Sequence, residues 1–165
     1  MIITACETDF GWVGIAASEA GLAELTLPEP TEAAVLQRLR ERHGPGEADD
    51  GRLASFKARL QAYLRGEAVD FADLPLDMGR GTEFQRRVWA AARAIPRGET
   101  RSYGALAREV GSPGAARAVG QAMARNPWPI VVPCHRVVDH DGRLTGFSGG
   151  LEMKRRLLEM ERISE

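Results

Sequence analysis

At 165 residues, with 44% hydrophobic and 27% charged side chains, the chain can bury a core in one domain or two small ones and reads as an ordinary soluble globular protein. No apolar run approaches a membrane span, and the opening "MIITACETDF" lacks the charged start and long apolar core of a secretion signal, so a cytoplasmic location and no membrane partner are expected. The net charge of −1 conceals a division: residues 1–79 carry 7 basic and 14 acidic side chains, residues 80–136 carry 10 and 3, and residues 137–165 carry 5 and 6.

All ten basic residues of the middle block are arginines, suited to phosphate forks and to stacking on bases. A solvated arginine surface and a nucleic-acid interface stand level on this evidence. Only two cysteines occur, Cys6 and Cys134, with no CxxC or HxxxH spacing for zinc. Both read as free thiols, and neither a metal nor a cofactor is expected.

In chain order, "IITACE", "GWVGIAA" and "LAELTL" alternate apolar and polar residues and predict a small antiparallel meander over the first 27 residues. "TEAAVLQRLRER" predicts a helix ended by "HGPGEADDG", and a second helix places Leu53, Phe56, Leu60, Tyr63 and Leu64 on one stripe. Residues 66–81 have little periodicity and read as a connection between domains. The charge changes there too, which separates an N-terminal α/β domain, 1–78, from a C-terminal domain, 79–165.

From Thr82 the pattern is helical. Thr82 with Gln85 has the form of a capping box, and Phe84, Val88, Ala91 and Ile95 make an apolar face that stops at Pro96. Ser102 can cap a short helix, "YGALAREV", ended by Gly111; "SPG" follows, then a helix "AARAVGQAMARN" stopped at Asn126-Pro127. Two helices across a short glycine-containing turn make a helix-turn-helix. The second is built mainly of small residues around Arg117, which allows close approach either to another helix or to a DNA groove.

"IVV", residues 130–132, then predicts a short buried strand, and Pro133 stiffens the backbone ahead of Cys134-His135-Arg136. A cysteine at the end of a buried strand is often mere packing. A thiol attacks as its thiolate, however, and His135 and Arg136 are candidate sources of a base and of positive charge. Adjacent residues on a straight strand point to opposite faces, so His135 can serve Cys134 only if the chain bends or a water bridges them. In "LEMKRRLLEMERI", Glu161 shares a face with Leu157 and Leu158, where a carboxylate asks for a partner and could orient the histidine. Trp128, between two prolines, receives no role beyond covering the strand.

"RSYGALAREVGSPGAARAVGQAMARNPWPIVVPCHRVV", followed by "GFSGG" and "LLEME", closely resembles the O6-alkylguanine-DNA alkyltransferase (methylated-DNA–protein-cysteine methyltransferase) family, continuously from about Thr82 to Glu161. The resemblance implies an α/β (α+β) chain: a ribonuclease H-like N-terminal domain with a small antiparallel sheet, and a mostly helical, winged-helix-like C-terminal domain. It implies direct-reversal DNA repair, with Cys134 accepting the alkyl group of O6-alkylguanine, or more slowly O4-alkylthymine, once and irreversibly. His135 would deprotonate the thiol through water, Glu161 would orient His135, and Tyr103 would donate to the departing base.

By the same resemblance Arg117 fills the space of a base flipped out of duplex DNA. Ala115, Ala116, Gln121 and Tyr103 contact the minor groove, while Ser148, Gly149, Val137 and Lys154 line the base pocket. Asn126 is a structural hinge, and the protein is a monomer. Some relatives hold structural zinc in the N-terminal half; Cys6 alone cannot supply such a site here. Three other readings use the same residues: a non-catalytic alkylated-DNA-binding protein, a helix-turn-helix regulator, and a cysteine hydrolase. The intact Cys134-His135 pair with Glu161 disfavours the first. The second lacks an appended regulatory domain, and the third has no need of the arginine block.

Overall fold

The computed structural model describes residues 1–144 and 150–163, and the chain divides into two compact units, Met1–Met78 and Gly79–Glu165. In the first, β1 (Ile2–Thr8), β2 (Gly11–Ser18) and β3 (Gly21–Leu25) form an antiparallel sheet in that order, with Ile3 opposite Ala16 and Cys6 opposite Val13. Successive strand residues point to opposite faces, so β1 offers Ile3 to one side and Ile2, Thr4 and Cys6 to the other. Helix α1 (Glu32–His43) covers the first side, where Leu39 joins Ile3 and Ala16 in one buried cluster. Helix α2 (Ala54–Leu64) covers the second: Lys57 Nζ donates to Thr4 Oγ1 at 2.9 Å, and the Cys6 thiol lies 3.8 Å from the Lys57 carbonyl. The alternating sequence thus becomes a helix, sheet, helix sandwich.

Both helices lie where their sequences predict, except that Leu53, expected on the buried stripe of α2, stands just ahead of the helix and is only half-buried. Thr31 caps α1 by accepting from Ala34 N, and Phe56, Leu60, Tyr63 and Leu64 are the buried stripe of α2. The end of α1 is clipped to β3 by Glu24, a buried carboxylate that accepts from His43 Nε2 at 2.8 Å and from Arg42.

Residues 66–78 are not the plain connection that their lack of periodicity suggests. Phe71 is buried edge-on against Phe56 and Tyr63, with ring centroids 6.0 and 5.8 Å apart. Leu22 N donates to Pro75 O at 3.0 Å and Asp77 N to Leu22 O at 2.8 Å, so Leu76 lies beside β3 as a single parallel bridge. One bridge leaves no alternation to detect, and Pro75 contributes only its carbonyl. Gly21, at φ +135°, is required here, because a side chain would strike that carbonyl.

In the second unit α3 (Glu83–Arg93) opens with a complete capping box: Gln85 N donates to Thr82 Oγ1 at 3.1 Å, and Thr82 N to Gln85 Oε1 at 3.0 Å. Its buried face is Val88, Trp89 and Ala92, continued by Ile95, whereas Phe84 and Ala91 are only half-buried. The expected face is therefore turned toward Trp89, whose indole Nε1 donates to Ala122 O at 2.9 Å and whose ring meets Trp128 edge-on. Strand β4 (Arg101–Ser102) pairs in parallel with β5 (Val137–Val138), and Ser102 then caps α4 (Tyr103–Glu109) by accepting from Ala105 N. Gly111, at φ +78°, lets the chain turn toward α5 (Ala116–Ala124), which buries Val119, Ala122 and Met123.

"IVV" is buried but is not a strand. Ile130 to Val132 form a turn in which Val132 N donates to Trp128 O at 2.8 Å, and Ile130 takes φ +79°, an unfavourable conformation for a β-branched residue. Prolines at 127, 129 and 133 remove three N–H donors that a strand ladder would need. Helix α6 (Leu151–Ile163) follows and packs on the turn at Cys134–Arg136.

Candidate active site

Cys134, His135 and Arg136 form one turn of 3-10 helix, all three buried. Successive side chains diverge by about 120° on such a turn, not the 180° of a strand. The bend that cooperation between Cys134 and His135 requires is therefore present. The turn is held from behind by Asn126, whose Nδ2 donates to Val132 O at 2.8 Å while its Oδ1 accepts from Trp128 N at 2.9 Å. Cys134 N in turn donates to Val132 O at 2.7 Å.

Glu161 is the centre of charge. It lies in the last turns of α6 on the face of Leu157 and Leu158, fully buried. His135 Nε2 is 2.9 Å from its Oε2, Arg136 Nε donates to its Oε1 at 2.9 Å, and Arg136 Nη2 donates to its Oε2 at 2.7 Å. Burial pushes the carboxyl upward, but the hydrogen bonds from His135 and Arg136, with their charges, together hold it well below the usual carboxylate range. An ionised carboxylate only accepts, so Nε2 carries the imidazole hydrogen and Nδ1 the lone pair. Burial also holds His135 below its ordinary value against the pull of Glu161, which favours the neutral ring, a form able to take a proton.

Arg136 has a different role from the one its place beside Cys134 suggests. Its guanidinium is committed to Glu161 and, through Nη1, to Ile95 O at 2.6 Å, so it locks α6 and the end of α3 onto the turn. The positive charge that favours the thiolate comes from Lys154, fully buried on α6. Burial raises the Cys134 thiol above its ordinary value, and a hydrogen bond from Asn126 and the Lys154 charge oppose that rise without cancelling it. Burial likewise lowers Lys154, against the charges of Cys134 and Asp139. Its ammonium stands 5.9 Å from the centre of the Tyr103 ring, and that half-buried ring lies against Gly120 of α5. Val137, the first residue of β5, is fully buried directly after the turn.

The structure thus brings Cys134, His135, Glu161, Lys154, Tyr103, Asn126 and Val137 into one region. Arg117 and Gln121 stand elsewhere, exposed one helical turn apart on the outer face of α5, with Ala115 and Ala116 half-buried at its start. Arg117 forms no salt bridge with a described residue. Ser148 and Gly149 lie outside the described residues. Among the described residues no three His, Cys, Asp or Glu side chains gather to hold a metal, and Cys6 sits against α2.

Two family models match the chain: the 6-O-methylguanine DNA methyltransferase ribonuclease-like domain over residues 1–78, and the DNA binding domain of the same name over residues 83–163. The constitutive methylated-DNA–protein-cysteine methyltransferase of Bacillus subtilis is 43% identical over 165 residues, spanning 98% of this chain and 95% of that protein. The chain belongs to the methylated-DNA–protein-cysteine methyltransferase family.

A second family member, from Mycolicibacterium paratuberculosis, is 59% identical over 104 residues, which cover 63% of this chain and 62% of that relative. Among solved structures of the family, the Mycobacterium tuberculosis OGT crystallised in complex with DNA superposes with a TM-score of 0.84 at 41% identity, covering 99% of this chain and 94% of that one. The likenesses to the Bacillus subtilis protein and to the Mycobacterium tuberculosis structure extend through the N-terminal unit, where the sequence offers only expected elements and no motif. Two features of this family member escaped sequence reasoning, the commitment of Arg136 to Glu161 and the bond from Trp89 to α5. The first had a signal: a carboxylate on a buried helix face needs more than one donor, and Arg136 adjoins the histidine already assigned to it.

Proposed function

We propose that the chain repairs alkylated DNA by direct reversal, accepting on Cys134 the alkyl group of O6-alkylguanine, and less efficiently of O4-alkylthymine, in double-stranded DNA. The observation that carries this reading is the 2.9 Å bond from His135 to an ionised Glu161 behind a buried cysteine, in a chain of this family. His135 Nδ1 takes the Cys134 proton through a bridging water, and Glu161 stabilises the imidazolium that forms. The sulfur attacks the alkyl carbon. The S–C bond forms as the C–O6 bond breaks, and the electron pair leaves with the guanine oxygen. Tyr103 donates a hydrogen bond or proton to that leaving group, and Lys154, 5.9 Å from its ring, supports the charge this leaves on Tyr103. The product is a thioether, whose C–S bond is inert to acid–base side chains, so each molecule acts once.

The target atom lies inside the base stack, so the nucleotide must be flipped out. The exposed face of α5, with Arg117 and Gln121 standing out from alanines, suits entry into the minor groove; Arg117 fills the vacated space, and Ser148 and Gly149 belong to the loop that closes over the base. Asn126 is the hinge between α5 and the cysteine turn, a role supported by its two backbone bonds. The protein acts as a monomer in the cytoplasm.

The test is to incubate protein with excess duplex containing O6-methylguanine and to follow intact protein mass and lesion loss together. One added methyl, mapped to Cys134, with repair ending at one lesion per protein, is the expected outcome. Binding without a mass change, or repair beyond one lesion per molecule, would contradict it.

A further inference from the structure

Trp89 and Trp128 are buried to 3% and 1% exposure, and their rings meet edge-on, with centroids 5.2 Å apart and planes at 88°. Burial of an indole calls for a partner for its N–H, and each ring here is tied to a different part of the site. Trp89 Nε1 donates to Ala122 O at 2.9 Å, in the last turn of α5. Trp128 instead belongs to the loop behind the cysteine through its backbone: its amide N–H donates to Asn126 Oδ1, its carbonyl accepts from Val132 N, and Val132 O accepts from both Asn126 Nδ2 and Cys134 N. From α3, therefore, one side chain holds the helix that displays Arg117 and Gln121 through its N–H, and through its ring contact with Trp128 the loop that ends in Cys134.

We infer that Trp89 is a positioning residue that fixes the placement of α5 relative to the acceptor thiol, so that a base displaced at Arg117 arrives at Cys134. This rests on the repair reading above. The two contacts make separable contributions. Loss of the indole donor frees the end of α5 while leaving the cysteine loop packed. Loss of the Trp128 ring loosens the loop itself. Duplex substrate needs both parts in register, whereas a free O6-alkylguanine base, which makes no demand on α5, needs only the loop.

The experiment compares single-turnover rates on duplex O6-methylguanine and on free O6-benzylguanine base for wild type, Trp89→Phe and Trp128→Phe, with thermal midpoints measured alongside. Trp89→Phe keeps an aromatic ring facing Trp128 and deletes the donor. It should slow duplex repair by about three- to tenfold, the worth of one hydrogen bond, while the free-base rate stays within about twofold of wild type by the same measure. Trp128→Phe should slow both reactions together. Equal losses on the two substrates in Trp89→Phe, or no loss on either, would overturn the inference. If Trp89→Phe does not fold, Trp89→Tyr, which also keeps a ring and deletes the indole donor, is read by the same two rates: a loss confined to duplex supports the inference, and equal losses or none overturn it. Wild-type protein in the same series separates the two claims, since failure to transfer an alkyl group there is failure of the repair reading, whereas a wrong pattern among variants of an active protein is failure of the positioning role alone.

Discussion

Burial sets the resting state of the acceptor. The Cys134 thiol is raised above its ordinary value, so near neutral pH the sulfur is protonated, and the thiolate forms only as His135 takes the proton. Because that proton passes within the pair and is not lost to solvent, single-turnover transfer to free alkylguanine base should be level with pH from neutrality to about 8.5, where an ordinary thiol is half ionised. A rate that climbs tenfold per pH unit across that range would mean that the thiol ionises to solvent without His135 and would contradict the assignment. His135→Gln, which removes the proton acceptor, should slow transfer to duplex and to free base alike by roughly 10²- to 10⁴-fold, as read by intact mass against time. Glu161 has a stability role besides. Its removal leaves Arg136 buried without its carboxylate, so Glu161→Gln should cost about 3 kcal/mol of folding stability in urea titrations. A loss much smaller than this would mean that Arg136 finds another acceptor or reaches water.

At the scale of elements, α5 offers a different kind of test. Arg117 is exposed and in no salt bridge with a described residue, so Arg117→Ala should leave folding unchanged. It should weaken duplex repair far more than transfer from free base, and equal losses on both would contradict a flipping role. How far these elements could be read in the sequence followed how local their causes were. Thr31, Thr82 and Ser102 cap their helices through residues three positions away, so α1, α3 and α4 began where their sequences said. The meander was legible because turn-forming residues at 9–11 and 19–21 divide its apolar runs into three. "IVV" misled because its apolar composition reports burial and not backbone shape; the shape is set by three prolines and the Asn126 side chain. The face of α3 was misjudged for a related reason, since Trp89 packs inward to reach a carbonyl 33 residues away, a partner that no helical period reveals. In the candidate site, Glu161 could be found from its apolar neighbours, while Arg136, which adjacency offered as the positive charge beside Cys134, is taken up by Glu161, and that charge comes from Lys154.

For the molecule as a whole, the buried histidine and carboxylate predict a direction for acid sensitivity. Both have folded values below their ordinary ones, so the unfolded chain binds protons more readily than the folded one, and their contribution is complete above the unfolded values. It is lost as pH falls, starting near 6.5 with His135 and continuing below about 4.3 with Glu161. The thermal midpoint should therefore drop between pH 7 and pH 5, and the drop should be shallower in His135→Gln; identical slopes would remove His135 as its source. The same burial has a further consequence for a protein whose acceptor works once. Any bystander oxidant or electrophile that reached Cys134 would retire the molecule before it met a lesion. With Cys134 only 7% exposed and its proton retained, the residue is poorly open to casual encounters and reacts best with a partner already seated beside it. What slows the chemical step at rest thereby lengthens the shelf life of a single-use reagent, and the turn at Cys134 acts as its packaging.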